Sequence, residues 1–262
     1  MWPRIVEVGS LSVPTYGVLI ALGFLAGITL AARLARRSGR SDLDPERITN
    51  LGIVLLLSAI VGAKVFMIVD SWTYYSADFS RLFSLSALRS GGVFYGGLLS
   101  ALGVAYYYTR RHGMPWLATA DVMAPGLAIG HAIGRLGCFA AGCCWGHETH
   151  LAWAVTFRDP AAHSFTGVPL NIPLHPTQLY EALGTAAIGA FLLWRYGRPH
   201  ATGAILGTYL ALYSTFRIFV EFFREEGART FVIGGFLSTT QCVAAGLVVL
   251  GLWLVRTAPR RA

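Results

Sequence analysis

The sequence predicts an all-α integral membrane protein with about seven transmembrane helices, because it is highly apolar and divides into long apolar runs. Of its 262 residues, 55% are hydrophobic and only 13% are charged, and the mean hydropathy is +0.56. A soluble domain carries about a quarter charged residues. Half that share leaves too few polar side chains to cover a globule in water, so lipid is the expected surrounding of most of the chain.

Seven stretches have the length, about 20 residues, that an apolar helix needs to cross a bilayer. The fourth is the least regular, because Asp121, Pro125 and Arg135 interrupt it. No internal repeat or linker divides the chain, so a single transmembrane domain over residues 1–262 is expected. The predicted spans are Val13–Ala35, Ile48–Asp70, Gly91–Thr109, Leu117–Phe139, Thr177–Tyr196, Thr202–Phe223 and Phe231–Val255.

The arginines between the spans predict the orientation of the helices. Eleven arginines follow the first, third, fifth and seventh spans, whereas six lie in the segments on the other side. Short loops rich in Lys and Arg stay in the cytoplasm. The N-terminus is therefore predicted to lie outside and the C-terminus in the cytoplasm. The N-terminal residues have no signal-peptide pattern, so the first span itself is expected to direct insertion.

Two segments on the predicted outer side are long. Ser71–Ser90 is aromatic and suits the lipid–water interface, and Ala140–Pro176 is rich in Pro, Gly and His. Within the second segment, "LAWAVTF" is typical of a short strand. A loop of this length is more often functional than a simple connection.

The net charge of +8 comes almost entirely from these arginines, with Lys64 as the one lysine. No RNA- or DNA-binding motif accompanies the charge, so nucleic acid is excluded as a partner. Four cysteines in 262 residues are too few for a disulfide framework.

The richest cluster of ionisable residues within the apolar runs is "LYSTFRIFVEFFREEG". Tyr213, Arg217 and Glu221 follow one another at intervals of four, and Arg224 follows three residues later, so all four lie on one helix face. Charged residues in a membrane are costly and need a partner or a function. The stripe either pairs with itself, Arg217 with Glu221, or binds an anionic lipid headgroup through its guanidinium groups.

A second arginine, Arg135, lies between Gly134 and Gly137 and is followed by Cys138, Cys143 and Cys144. The arginine either binds a ligand or extends to the membrane surface. The cysteines lack the C-x2-C spacing of a zinc site, so no metal or cofactor is expected. They remain open to three interpretations: small packing residues, a disulfide from Cys138 to either neighbour, or a reactive thiolate beside Arg135.

Other polar residues lie at the predicted helix ends. Tyr95 and Tyr16 are each either interfacial tyrosines or site residues, and His175 and Gln178 are polar groups at the start of the fifth span. Lys64 needs a partner within the second span, and structural pairing with a carboxylate or carbonyl is the expected reason for it.

Taken in order, "FYGGLL", "GRLGCFAAGCCWG", "LHPTQLYE" and "YSTFRIFVEFFRE" resemble the motifs of the bacterial phosphatidylglycerol–prolipoprotein diacylglyceryl transferase family. The resemblance extends over essentially the whole chain. It implies transfer of the diacylglyceryl group of phosphatidylglycerol to the lipobox cysteine of a preprolipoprotein, with glycerol phosphate as leaving group. It also implies a multi-pass protein of the bacterial inner membrane, and the predicted orientation places Arg135, Glu221 and Arg224, and with them the active site, toward the outer leaflet.

The resemblance and the residues together define the expected site. Arg135 matches the family's lipid-binding arginine, and Arg217 with Glu221 matches its functional pair. Either Glu221 or Tyr95 is expected to remove the proton of the acceptor thiol. The expected catalytic residues are Arg217, Glu221 and Tyr95. The expected substrate-binding residues are Arg135, Tyr16, Tyr213, Arg224, Gly146, His175 and Gln178.

The chain departs from the usual family signature, Gly-Arg-x-Gly-Asn-Phe-x-Asn-x-Glu. Cys138 and Ala141 occupy the two asparagine positions, and Cys143 occupies the glutamate position. Tyr95 stands where the family often has histidine, and Lys64 where it often has arginine. Two alternatives therefore remain: a related lipid transferase with another donor or acceptor, and a lipid-binding membrane protein without enzymatic activity.

Overall fold

The computed structural model describes residues 4–8, 11–84, 87, 92–225, 231–233 and 237–258, and they are mostly helical. The helices are α1 (Thr15–Ser38), α2 (Pro45–Asp70), α3 (Trp72–Ser76), α4 (Phe94–Arg111), α5 (Trp116–Ala141), α6 (Pro160–Thr166), α7 (Thr177–Tyr196), α8 (Ala204–Glu221) and α9 (Thr239–Thr257). The strands are β1 (Arg4–Val8), β2 (Leu11–Pro14), β3 (Val155–Thr156), β4 (Pro173–Leu174), β5 (Phe231–Ile233) and β6 (Leu237–Ser238), which pair antiparallel as β1–β2, β3–β4 and β5–β6.

Each predicted span overlaps one long helix in the described part of the chain. Four of these helices are long and apolar enough by themselves to cross a membrane: Thr15–Ser38, Pro45–Asp70, Trp116–Ala141 and Thr239–Thr257. Few residues are buried in α1, α2 and α9, where Leu57 and Val61 of α2 are examples of exposed apolar side chains, whereas 44% of the apolar window of α5 is buried. This exposure fits helices whose surroundings are lipid.

The predicted start of the last span, Phe231, is wrong. Phe231 lies in β5 and helix α9 begins only at Thr239. A capping box fixes this boundary, because the Ser238 hydroxyl accepts from the Gln241 N–H while the Gln241 side chain accepts from the Ser238 N–H. The hairpin β1–β2 before α1 was likewise not predicted from the sequence.

The two long segments between spans contain short elements. Helix α3 and a 3₁₀-helix, Phe79–Phe83, occupy the first segment, and β3, α6 and β4 occupy the second. The strand predicted for "LAWAVTF" is confirmed in part, as only Val155–Thr156 is extended and paired. A small apolar core of Phe157, Ala162, Val168 and Leu174 holds the second segment together.

The chain forms two compact units, Ala32–Thr119 on the one hand and Met1–Ala31 with Ala120–Ala262 on the other. In the unit Ala32–Thr119, α2 packs against α4 through glycines. A Cβ on Gly62 would lie 2.6 Å from the carbonyl oxygen of Gly96. The Lys64 ammonium donates to the Ala87 carbonyl at 2.6 Å, which confirms a structural pairing for this lysine.

In the other unit, α1 and α5 approach through two pairs of glycines. A Cβ on Gly23 would lie 2.6 Å from the Gly130 carbonyl oxygen, and a Cβ on Gly27 would lie 2.7 Å from that of Gly126. Glycines four residues apart on each helix thus face one another, the arrangement that lets membrane helices pack at short distance.

Asp121, which interrupts the apolar pattern of α5, stabilises the start of α8. The side chain is 3% exposed and accepts hydrogen bonds from the backbone N–H groups of Gly203 at 2.6 Å and Leu206 at 2.8 Å. The first N–H groups of a helix have no partner within it. A carboxylate from a neighbouring helix therefore supplies the acceptor and fixes α8 against α5.

Replacing Gly130 by Ala is expected to destabilise the protein, because the added methyl group would lie 2.7 Å from the Gly23 carbonyl oxygen and force the helices apart. Overpacking of this kind costs about 1–3 kcal/mol. Gly246→Ala is the matched control, since a Cβ there meets nothing within 4 Å. Thermal unfolding in detergent should show a lower midpoint for Gly130→Ala alone; equal midpoints for both variants would contradict the close α1–α5 packing.

Candidate active site

A buried carboxylate, Glu181 of α7, lies at the centre of the charged residues. Its side chain is 2% exposed, and its Oε2 is 2.6 Å from the Nη2 of Arg135 on α5. Its Oε1 is 3.8 Å from the Nε of Arg217 on α8. The carboxylate of Glu181 on α7 thus joins Arg135 of α5 to Arg217 of α8, so one side chain connects three helices.

The predicted pairing along α8 is confirmed. Arg217 Nη1 lies 2.7 Å from Glu221 Oε2, one helical turn further along. Glu221 is 2% exposed, and its Oε1 accepts a hydrogen bond from the Ser238 hydroxyl at 2.8 Å. The pair is therefore part of a larger network that joins α8 to the start of α9.

Aromatic rings line the other side of Arg135. Its Nε donates to the Nε2 of His131 at 3.1 Å, so that nitrogen of the imidazole acts as an acceptor. The Tyr213 ring contacts the edge of His131, with centroids 5.3 Å apart, and stacks on Tyr209 at 5.7 Å. Arg135 is therefore a mostly buried side chain, 16% exposed, that contacts both His131 and Glu181, and its role as a ligand-binding arginine stays a prediction.

The loop after α5 turns back on itself and carries two of the three cysteines. Gly142 has φ of +76° and Cys144 has φ of +62°, a backbone conformation that residues other than glycine seldom adopt. The Cys143 N–H donates to the Cys138 carbonyl at 3.1 Å. Gln178 donates to the Cys143 carbonyl and Thr177 to the Cys144 carbonyl, each at 2.7 Å.

The turn brings the three thiols together. The sulfurs of Cys138, Cys143 and Cys144 all lie within 4.8 Å of one another, and all three cysteines are free and half-buried. Hydrogen bonds from the other two thiols lower the pKa of Cys144, and the nearby guanidinium groups of Arg135 and Arg224 act in the same direction. The trio is thus a cluster of neighbouring thiols, and its role stays a prediction.

Gly146 allows the loop to lie against the end of α8. A Cβ there would lie 2.7 Å from the His175 Cβ, so a larger side chain has no room. Gly146 pairs with Arg224 in an isolated β-bridge, and the His147 N–H donates to the Phe223 carbonyl at 3.0 Å. The buried Nε of Arg224 has no hydrogen-bond partner in the part of the chain that the structure describes.

His175 and Gln178 support the loop from the mouth of α7. The His175 carbonyl accepts from the Gly146 N–H at 3.0 Å, and its Nδ1 lies 3.0 Å from the Tyr180 hydroxyl. Burial lowers the pKa of His175, and the neighbouring His147 lowers it further. Gln178 is 1% exposed, and its Oε1 accepts no hydrogen bond from any described residue.

The two remaining predicted tyrosines are partly exposed. Tyr16, at the start of α1, is 42% exposed and packs near Gly137, whose Cβ would lie 3.4 Å from the tyrosine Cδ2. Tyr95, near the start of α4, is 49% exposed and belongs to the unit Ala32–Thr119. The role of Tyr95 as a proton acceptor stays a prediction.

The sequence interpretation did not include Glu181, His131 or Ser238 among the site residues. Glu181 ends the motif "LHPTQLYE" and starts an apolar run. A carboxylate in an apolar run indicates that another segment of the chain supplies a partner for its charge. His131 precedes Arg135 by four residues, which places the two on one helix face. Ser238 gives no sequence signal beyond its capping box.

Known proteins resemble this chain over nearly its whole length. The family model described as "Prolipoprotein diacylglyceryl transferase" matches residues 3–257. A protein of Vibrio campbellii named phosphatidylglycerol–prolipoprotein diacylglyceryl transferase is 33% identical over 261 residues, which cover 99% of this chain and 91% of the relative. Proteins of the same name from Vibrio cholerae and Clostridium tetani are 34% and 30% identical, over 97% of this chain and 90% and 96% of theirs.

Replacing Glu181 by Gln is expected to destabilise the protein strongly. The isosteric change leaves Arg135 and Arg217 buried without their shared negative charge, and removing one partner of a buried ion pair costs about 3–5 kcal/mol. Chemical or thermal unfolding in detergent measures the loss. Glu148→Gln, at an exposed position, is the control; a loss no larger than that of the control would show that Glu181 does not hold the arginines.

Proposed function

The chain belongs to the prolipoprotein diacylglyceryl transferase family, and from this membership we propose that it transfers the diacylglyceryl group of phosphatidylglycerol to the thiol of a lipobox cysteine in a preprolipoprotein, releasing glycerol phosphate. The names of the relatives supply the donor and the acceptor class. The observation that carries the site assignment is the shared contact of Arg135 and Arg217 with buried Glu181.

The reaction is a substitution at carbon. The acceptor sulfur loses its proton and forms an S–C bond to the glycerol carbon that carries the phosphate ester. The C–O bond breaks, and the electron pair leaves with glycerol phosphate. A site for this reaction must hold the phosphate, stabilise the charge that develops on the leaving oxygen and deprotonate the thiol.

The charge balance of the site suits a phosphodiester. Arg135, Arg217 and Arg224 supply three positive charges, and Glu181 with Glu221 supplies two negative ones, which leaves one positive charge near the loop of the cysteines. Phosphatidylglycerol carries one negative charge. Guanidinium groups fixed by carboxylates need little reorganisation when the phosphate arrives, which is the condition for strong stabilisation of a transition state.

The positions of the remaining residues in the structure support a role for each of them in the proposed reaction. Arg135 binds the phosphate, with Tyr213 beside it and Tyr16 near the same end of α5. Gly146, His175 and Gln178 shape the wall of the site by holding the loop at the end of α8. Arg217 stabilises the leaving oxygen. The proton acceptor is either Glu221 or Tyr95; both oxygens of Glu221 are already engaged, by Arg217 and Ser238.

We further propose that all seven long helices span the inner membrane of a bacterium. The N-terminus then lies outside and the C-terminus in the cytoplasm, an orientation that the distribution of arginines supports. The loop of the cysteines and the end of α8 would face the outer leaflet, where the lipid headgroup and the acceptor meet. The segment Ala140–Pro176 would lie on the outer side.

The test is a transfer assay with purified protein in phosphatidylglycerol vesicles and a peptide that contains a lipobox cysteine. Mass spectrometry should find the peptide with one added diacylglyceryl group and an equal amount of glycerol phosphate. Arg135→Ala and Arg217→Ala should each lower the rate by roughly a hundredfold or more, the scale of losing a stabilising donor. Arg195→Ala is the control, because this arginine at the end of α7 makes an exposed hydrogen bond to the Pro199 carbonyl and lies outside the proposed site.

Full activity in both Arg135→Ala and Arg217→Ala would contradict the proposed headgroup site. Consumption of a different lipid, with no modified peptide, would favour the alternative of a related lipid transferase. Correct membrane insertion of each variant, checked by fractionation, separates loss of activity from loss of the protein.

A further inference from the structure

We propose that Cys138, Cys143 and Cys144 form a zinc site with three sulfur ligands, whose fourth position takes the acceptor thiol. The linear spacing of the cysteines gave no reason to expect a metal. The backbone turn at Gly142 changes this, because it brings all three sulfurs within 4.8 Å of one another. The second part of the proposal, the binding of the acceptor thiol, rests on the proposed function; the first part does not.

The distances between the sulfurs fit the ion. Zinc binds thiolate sulfur at about 2.3 Å, so two sulfurs of a tetrahedral site lie about 3.8 Å apart. The observed limit of 4.8 Å exceeds this spacing by about 1 Å, a difference that the binding of the ion would close. Thiolate is also the ligand type that zinc and other soft ions select.

The backbone of the site is held before any ion binds. Gln178 and Thr177 each donate a hydrogen bond at 2.7 Å to the carbonyls of Cys143 and Cys144, and both donors start a regular helix. Cys144 is kept in a left-handed conformation with φ of +62°. A strained residue persists only where its surroundings fix it, and such residues are concentrated at functional sites.

The site has an open position. No described His, Asp or Glu joins the three cysteines within ligand distance of the group. Structural zinc sites have four protein ligands, whereas catalytic sites have three and leave the fourth position to water or substrate. The three cysteines are half-buried, so a fourth ligand can reach the ion.

The neighbouring charges favour this arrangement. Zinc with three thiolates carries one negative charge, and a fourth thiolate raises it to two. Arg135 lies near Cys138 and Cys144, and Arg224 lies near Cys144, so the one positive charge that remains beside the two carboxylates offsets the charge of the zinc with three thiolates. The same Arg135 is the proposed phosphate ligand, which places the bound sulfur beside the reacting ester.

The ion would supply a second way to ionise the acceptor thiol, beside the proton acceptor, Glu221 or Tyr95, of the proposed function. A thiol that binds zinc is deprotonated, and its proton passes to water. The zinc-bound sulfur then forms the S–C bond while the C–O bond breaks toward glycerol phosphate. The thioether product is a weak zinc ligand and leaves, and water returns to the fourth position. No oxidant or reductant takes part.

The test begins with metal content, which is independent of activity. Protein purified with its affinity tag removed is analysed for zinc by mass spectrometry, and zinc X-ray absorption gives the ligand set. We expect about one zinc per chain with three sulfurs near 2.3 Å. After removal of zinc by a chelator, added Co²⁺ should give the thiolate-to-metal charge-transfer absorption.

Matched variants locate the site. Cys143→Ser and Cys144→Ser should each weaken zinc binding by more than roughly a hundredfold, since even the loss of an outer contact costs 10–100-fold. Cys242→Ser, a cysteine of α9 outside the group, should bind zinc like the parent protein. Gel filtration and circular dichroism confirm that each variant is folded.

Three outcomes would overturn the zinc site: no zinc and no Co²⁺ absorption in the parent protein with three titratable thiols, a disulfide between two of the cysteines, or preferential binding of Cu⁺. Zinc binding without effect on transfer, with full activity in chelator, would overturn the role in thiol activation and leave the proposed function standing. Zinc binding without any transfer would contradict the proposed function and leave the site standing.

Discussion

The buried negative charge of Glu181 is the constraint on which the rest of the site depends. Two guanidinium groups from different helices are expensive to remove from water, and their cost is offset only by a carboxylate in close contact. Arg135 at 2.6 Å and Arg217 at 3.8 Å share that carboxylate. The contacts of this one carboxylate therefore tie α5, α7 and α8 together at this level.

Contacts away from the site also hold the helices of the site in place. Asp121 caps the start of α8 from α5, and Ser238 engages Glu221 at its end, so the helix that carries Arg217 is held at both ends. Glycine contacts bring α1 to α5 at backbone distance. The result is a rigid set of charges at the end of several helices, in a place where the loop of the cysteines also lies.

The sequence was most informative about features that depend on one segment, such as the long helices and the spacing of charges within a helix. The apolar runs predicted all the long helices, with α7 correct at both ends, and the interval of four predicted the Arg217–Glu221 pair. The predicted start of the last span at Phe231 was wrong. A capping box sets the start of α9 at Thr239, and apolarity alone cannot locate that boundary. The central role of Glu181 and the meeting of the cysteine sulfurs depend on contacts between segments, which linear spacing does not encode.

The central claim is that the guanidinium groups of Arg135 and Arg217 bind the phosphate of the lipid donor. The most direct measurement is an experimental structure of the protein with phosphatidylglycerol or a non-cleavable analogue. The account predicts the phosphate within hydrogen-bond distance, about 3 Å, of Arg135 and Arg217, with Glu181 still between them. A headgroup bound elsewhere on the protein, with both arginines contacting only carboxylates, would contradict it.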